Sequence, residues 1–240
     1  VVSIPTVFHV IYNTTLPEQN VPDSVLLSQL EVLNDDYRRT NADKVNTRPV
    51  FDSIAADIEV EFCLATLDPS GNPTTGIERI ESSETGFEVF SSMNDMKYAS
   101  SGGADAWPAD KYLNIWVCNM TVFGQSGSLL GFAQFPGDDP ATDGVVIQHN
   151  YLGNTTDPNQ AVESKGRTTT HEVGHWLGLR HVWADDGSIF GGGTCDSSDF
   201  VDDTPNQAGQ SNYDCNLTIN SCSNEAPFWG NVDPPDMVEN

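Results

Sequence analysis

Apolar residues along this chain recur in two periods, and the periods lay out its elements. Ser3–Tyr12 (SIPTVFHVIY) is a β-branched and aromatic run suited to a buried strand, with His9 read as a core histidine. Ile58–Leu67 (IEVEFCLATL) opens by alternating apolar and acidic residues and predicts a second strand. Tyr112–Met120 (YLNIWVCNM) and Gly144–His149 (GVVIQH) predict two more, His149 being structural or surface. Leu129–Phe135 follows the flexible loop Gly124–Ser128 and reads as a short strand. The helical period appears where Leu26, Leu30, Leu33 and Tyr37 fall on one face after Pro22-Asp23, with Asp23 as the expected cap and the polar run Arg39–Asn46 as the stop. A second helix is expected from Glu163 to Leu179. Asp68–Pro73 is turn chemistry, and Ile77 to Ala104, polar and serine-rich, reads as a long surface excursion. From Trp183 onward the periodicity is lost. Asp185-Asp186-Gly187, Gly191–Gly193 and closely spaced Asp and Cys describe a loop-rich segment that needs disulfides or ions as staples.

The second helix carries the chemistry. It reads TTTHEVGHWLGLRH over Thr168–His181. His171 and His175 stand four apart, so both project from one helix face, at the spacing two imidazoles need to grip one zinc ion. Glu172 lies between them, able to work on a water without being a ligand. Gly178 lets the backbone leave the helix, and the turn that follows can bring His181 round as a third ligand. Three protein ligands leave a fourth position for water, the arrangement of a catalytic site. Five fixed residues over eleven positions arise by chance in roughly one such chain in 10^4 to 10^5. A helix that carries the motif idly is therefore a poor account of it.

HEVGHWLGLRH fits the extended HExxHxxGxxH pattern of the metzincin metallopeptidases. Trp176-Leu177-Gly178-Leu179 and Asp203-Thr204-Pro205 resemble the pappalysin family in particular, as do IPTVFHVIY, AWPADKYLNIWVCN, LLGFAQFPG and ATDGVVI along the chain. The resemblance implies an α/β (α+β) metzincin-like zincin catalytic domain. Residues 1–179 would be an upper subdomain, a twisted mixed sheet with a backing helix and the active-site helix, and residues 180–240 an irregular, loop-rich lower one. It implies zinc on His171, His175 and His181, with Glu172 as general base in peptide hydrolysis. It makes Leu129, Leu130, Gly131, Phe132 and Ala133 the edge strand beside which an extended substrate pairs. Some members prefer a basic residue after the cut, at P1′. In the acidic loop Cys195–Pro205, whose hard oxygen ligands suit calcium but miss the EF-hand spacing, it points to the Asp199 carboxylate, Thr204, and backbone carbonyls near Ser198 and Asp202. It pairs Cys195 with Cys222 and leaves Cys215 to a cysteine beyond Asn240. Cys63 and Cys118 are read either as a cross-strand pair or as two buried thiols. Met237-Val-Glu-Asn240 resembles the approach to the family's methionine turn, so that turn, its tyrosine and the S1′ wall are expected downstream.

Composition narrows the partners. The 240 residues hold 10 Lys+Arg against 35 Asp+Glu, a net charge of −25. That charge argues against nucleic acid and anionic membranes, and no apolar run is long enough to span a bilayer. A protein or peptide substrate and a monomeric enzyme are the expectation. Five cysteines in an Asn- and Thr-rich acidic chain indicate an oxidising, extracellular setting. Val1 opens directly in a strand with no leader pattern, which reads as a mature secreted form. Sequons stand at Asn13, Asn119, Asn154 and Asn216. A zinc- and calcium-bearing binding or adhesion protein without turnover is the alternative reading.

Overall fold

In the computed structural model, residues 1–161, 165–184, 193–209, 218–223, 227–229 and 234–237 are described. They fall into two compact units, Val1–Ala42 with Asp57–Leu177, and Asp43–Ala56 with Gly178–Asn240. Among the described residues no helix is long and apolar enough to cross a membrane.

The first unit is built on β1 (Val2–Tyr12), which is long enough to serve three neighbours. After helix α1 (Asp23–Tyr37) come β2 (Val60–Leu64) and β3 (Ile77–Glu81). β2 pairs with the first half of β1 and β3 with its second half, both parallel. The strands β4 (Phe87–Glu88), β5 (Leu113–Cys118), β6 (Met120–Val122), β7 (Gln125–Ser126), β8 (Gly131–Ala133) and β9 (Val145–Gln148) follow, then helix α2 (Arg167–Trp176). The main sheet runs β2-β1-β5-β9-β8, parallel except for β8, which pairs antiparallel with β9 and forms the edge. β4, β6 and β7 form a small sheet of their own.

Both faces of the main sheet are covered, which is why its central strands read as unbroken apolar runs. Phe8, Val10, Ile115, Val117, Val145 and Ile147 face α1 and α2 and pack with Val25, Leu26, Leu33 and Val173. Ile11, Trp116, Cys118 and Val146 face the other way, onto Phe87, Val89, Met96 and Ala104. The expected surface excursion of residues 77–104 is thus corrected. β3 extends the sheet, and the rest roofs its second face with a few apolar side chains among many serines. His9 is fully buried between Glu78 (Nδ1–Oε2 2.7 Å) and Asn114 (Nε2–Oδ1 2.9 Å), in keeping with a core role.

α1 starts with Pro22 at the cap position and no side-chain cap bond. Asp23 is the first helical residue and pairs with Arg79, so it is not the cap. The far end of α1 anchors α2. Gln29 Nε2 donates to Gly166 O at 3.0 Å, Tyr37 Oη to Thr170 O at 3.0 Å, and Thr170 Oγ1 to Asp36 Oδ2 at 2.7 Å. Asp36 Oδ2 also meets Arg167 Nε at 3.0 Å. α2 is shorter than expected, and Glu163, the proposed start, lies outside the described residues.

Among its described residues the second unit holds little regular structure, and it is stapled. Cys195 and Cys222 form a disulfide across 27 residues, Cα–Cα 5.4 Å. Phe51 packs edge-on against Trp229 at 6.0 Å, and Arg48 lies over Phe51 while donating to Asp236 O at 2.6 Å. Asp236 Oδ1 accepts from Ser221 N at 2.9 Å. Cys215, Asn216, residues 185–192 and Val238–Asn240 lie outside the described residues.

Cys63 and Cys118 are both free, one exposed on β2, the other buried on β5. β1 lies between those strands. Two strand spacings, about 9.6 Å, exceed the reach of a disulfide, so the cross-strand pair is excluded. Burial drives the Cys118 thiol well above its usual range, which leaves it inert.

Candidate metal and catalytic site

α2 forms where α1 can hold it, and its register decides what faces the edge of the sheet. Thr169, Glu172 and Val173 are buried, His171 is exposed and His175 half-buried. One turn apart, the His171 and His175 imidazoles bring their Nε2 atoms to 3.0 Å, with ring centroids at 4.6 Å. Two nitrogens bound to one tetrahedral zinc stand about 3.3 Å apart, so the pair needs only a small adjustment to share an ion. The helix ends at Trp176. Gly178, at φ 99°, takes the left-handed conformation that turns the chain back. Along this continuous stretch the donor nitrogens of His171, His175 and His181 all lie within 4.8 Å of one another. It is the one group of three or more His, Cys, Asp or Glu residues among the described residues that is suited to a metal. The all-imidazole donor set suits zinc rather than calcium or magnesium.

Glu172 lies between the two histidines in the sequence of α2 and is 7% exposed. Burial pushes its carboxyl up to about 8. A cation on the neighbouring imidazoles would oppose that shift, because an opposite charge favours the carboxylate. The carboxylate reaches its place because the edge strand has no side chain there. A Cβ on Gly131 would stand 2.8 Å from Glu172 Cγ and 3.0 Å from Glu172 Oε1. Phe135, two residues past β8, packs its ring on His175 at 5.4 Å, while His181 stacks on Trp183 at 4.4 Å. Sequence reasoning proposed Gly131 only as a substrate contact and gave Phe135 and Trp183 no part. A glycine opening an edge strand upstream of the helix was the available signal.

The structure places Leu129 to Ala133 along β8 and its approach, with Gly131 buried and Leu130 exposed. Among the described strands β8 has a partner on one side only, so no described strand pairs with its outer backbone edge. The proposed calcium residues lie together in the second unit. Asp199 is 8% exposed, and its carboxylate accepts from Val201 N at 3.0 Å and from Thr204 Oγ1 at 2.6 Å. Ser198 Oγ accepts from Phe200 N at 3.0 Å, and Asp202 is exposed.

Comparison with known proteins identifies the family and the fold. The family model Peptidase_M43, pregnancy-associated plasma protein-A, matches residues 95–236. An extracellular metalloprotease of Arthroderma benhamiae is 32% identical over 209 residues, covering 86% of this chain and 56% of the relative. A second, from Pyricularia oryzae, is 28% identical over 226 residues, covering 93% and 63%. The chain thus spans roughly three fifths of the length of these curated relatives. Among solved structures, Tannerella forsythia mature mirolysin in complex with a cleaved peptide superposes with a TM-score of 0.83 at 42% identity, over 100% of this chain and 82% of that one. Promirolysin, as a mutant, gives 0.83 at 41% identity, covering 100% and 72%. The fold is metzincin-type.

Proposed function

Because this chain belongs to the peptidase M43 (pappalysin) family, we propose that it is an extracellular zinc-dependent endopeptidase acting on proteins or peptides. The observation that carries the proposal is the local geometry of α2. Two imidazoles converge at 3.0 Å, a third follows the turn, and a buried carboxylate of the same helix lies close to Gly131 of β8.

His171, His175 and His181 hold the zinc. When bound, the ion supplies Lewis acidity that polarises the scissile carbonyl and acidifies a water. Glu172 accepts the proton of the attacking water and returns it to the leaving amine nitrogen. Its burial keeps bulk water from competing for that proton. The outer edge of β8, Leu129 to Ala133, gives the substrate backbone donors and acceptors for an added strand and holds the scissile bond beside Gly131. A preference for a basic residue after the cut belongs to the same proposal and is supported by the net charge of −25. Calcium at the Ser198–Thr204 loop is a further part of it. The supporting observation is a nearly buried Asp199 carboxylate in an oxygen-rich turn, and a melting temperature raised by calcium and lowered by EGTA is the expected outcome.

The test is digestion of a diverse peptide pool with and without a zinc chelator, beside the Glu172→Gln protein. Chelator-sensitive cuts that vanish in Glu172→Gln while zinc stays bound at one ion per chain support the proposal. Zinc binding without cuts in the wild type would favour the non-catalytic binding protein instead. The intact Glu172 argues against that reading.

A further inference from the structure

A cavity of about 820 Å³ opens at the end of the sheet where β8 leaves it. It is a usual size for a ligand site. Trp107, before β5, Trp176, at the end of α2, and Pro136, just beyond β8, contribute its apolar wall. Asp110, Asp138 and Asp143 contribute carboxylates, and none of its lining residues is basic. Asp110 and Asp138 are exposed. Asp143 is half-buried and fixed, its Oδ2 accepting from Trp176 Nε1 at 3.2 Å. From inside the fold Lys97 faces Asp143 and offsets part of its charge, leaving the two exposed carboxylates uncompensated by any lining residue.

The cavity lies on the line of the proposed substrate strand. Gly131 opens β8 beside Glu172, Phe135 packs on His175, and Pro136 to Asp138 line the cavity, so the chain runs from the reacting centre into it. A peptide paired antiparallel to β8 runs the other way. Its residues before the cut therefore lie toward Pro136, and those after it lie toward Leu129. Resting on the endopeptidase reading, we infer that this cavity is a subsite for an arginine or lysine side chain a few residues upstream of the bond cut. The aliphatic stem lies along the tryptophan and proline wall, and the cationic head meets Asp110 and Asp138. Arginine fits better than lysine, since its planar guanidinium both stacks on indole and bridges carboxylates.

The wild-type and Glu172→Gln proteins, zinc-loaded, serve as test material with a peptide series that moves one arginine, or its norleucine substitute, through the upstream positions. Affinity for Glu172→Gln is read by calorimetry and cleavage by the wild type. One upstream position is expected to favour arginine over norleucine at least tenfold. Asp110→Asn/Asp138→Asn should reduce that preference to within twofold while peptides lacking a basic residue bind as before. An equal advantage at every position would assign the effect to the general negative charge and overturn the subsite. So would a position-specific preference that survives the double substitution. If no peptide is cut yet the positional preference holds, the cavity stands and the peptidase reading fails. If peptides are cut without positional preference, the peptidase reading stands and the subsite fails.

Discussion

Gly131→Ala adds one methyl group at the closest approach between the edge strand and the proposed general base. Gly131 does not sit in the left-handed region, so alanine can adopt its backbone. What the new Cβ meets decides the outcome. Glu172 Cγ would be 2.8 Å away, Glu172 Oε1 3.0 Å and the Val146 carbonyl oxygen 3.1 Å. Val146 O belongs to the paired backbone of β9 and cannot yield, so the glutamate must. Ordinary carbon–carbon contact is about 3.5–4.0 Å, which requires a shift of the Glu172 side chain of roughly 0.7–1.2 Å. A displacement of about 1 Å at a reacting group costs on the order of 10²-fold in rate, about 2.7 kcal/mol in the barrier.

The expected result is a fall of about 10²-fold in kcat for a fluorogenic peptide, with zinc still bound at one ion per chain and thermal stability nearly unchanged. A double-mutant cycle separates this from damage to the strand. On a Glu172→Ala background the alanine at 131 should cost little more in residual rate, because the group it displaces is gone. A Gly131→Ala protein within twofold of wild-type kcat would refute the reasoning. Equal losses on both backgrounds would place the effect in the strand instead.

Other expected outcomes rest on separate parts of the structure. His171→Ala should lose zinc and activity together, measured by metal content after dialysis, whereas Glu172→Gln keeps the metal. Lys97 is 1% exposed, its Nζ donating to Thr142 O at 2.7 Å above the Trp116 and Phe132 rings, and burial lowers its pKa from 10.5 to about 8 against the pull of Asp143. Between those values the unfolded chain binds the extra proton, so stability rises with pH there. Urea unfolding should show wild type gaining about 2 kcal/mol relative to Lys97→Met from pH 7 to 9.5, and parallel behaviour of the two proteins would contradict it. Reducing Cys195–Cys222, which closes 27 residues, should destabilise the second unit by about 3.5 kcal/mol in the chain-entropy account, read by unfolding with and without reductant. In an N-glycosylating host, of the three described sequons only Asn154 should carry glycan by mass spectrometry. It is exposed, while the Asn13 amide donates to Ser82 O and Ser83 O and the Asn119 amide to Thr85 O.

What the sequence disclosed and what it hid divide along the range of the interaction. The two histidines were legible because a helix repeats every turn, so a spacing of four residues already states a geometry. The central strands were legible because a sheet covered on both faces needs continuous apolar runs, and Leu113–Cys118 is buried at every position. Residues 77–104 misled because their contribution to the second face rests on Phe87, Val89, Met96 and Ala104, four buried apolar residues scattered among serines without a period. Lys97 gave no sign of burial, since composition assigns lysine to the surface. The Cys63–Cys118 pairing failed on strand order, which depends on β1 lying between β2 and β5. The same limit applies inside the site. The motif names Glu172, but the space it occupies exists because Gly131, forty-one residues earlier in the chain, lacks a side chain. A helix with HExxH placed beside a bulkier strand would keep its zinc ligands and lose the room for its base. The motif therefore predicts metal binding by itself, and predicts hydrolysis only together with the strand.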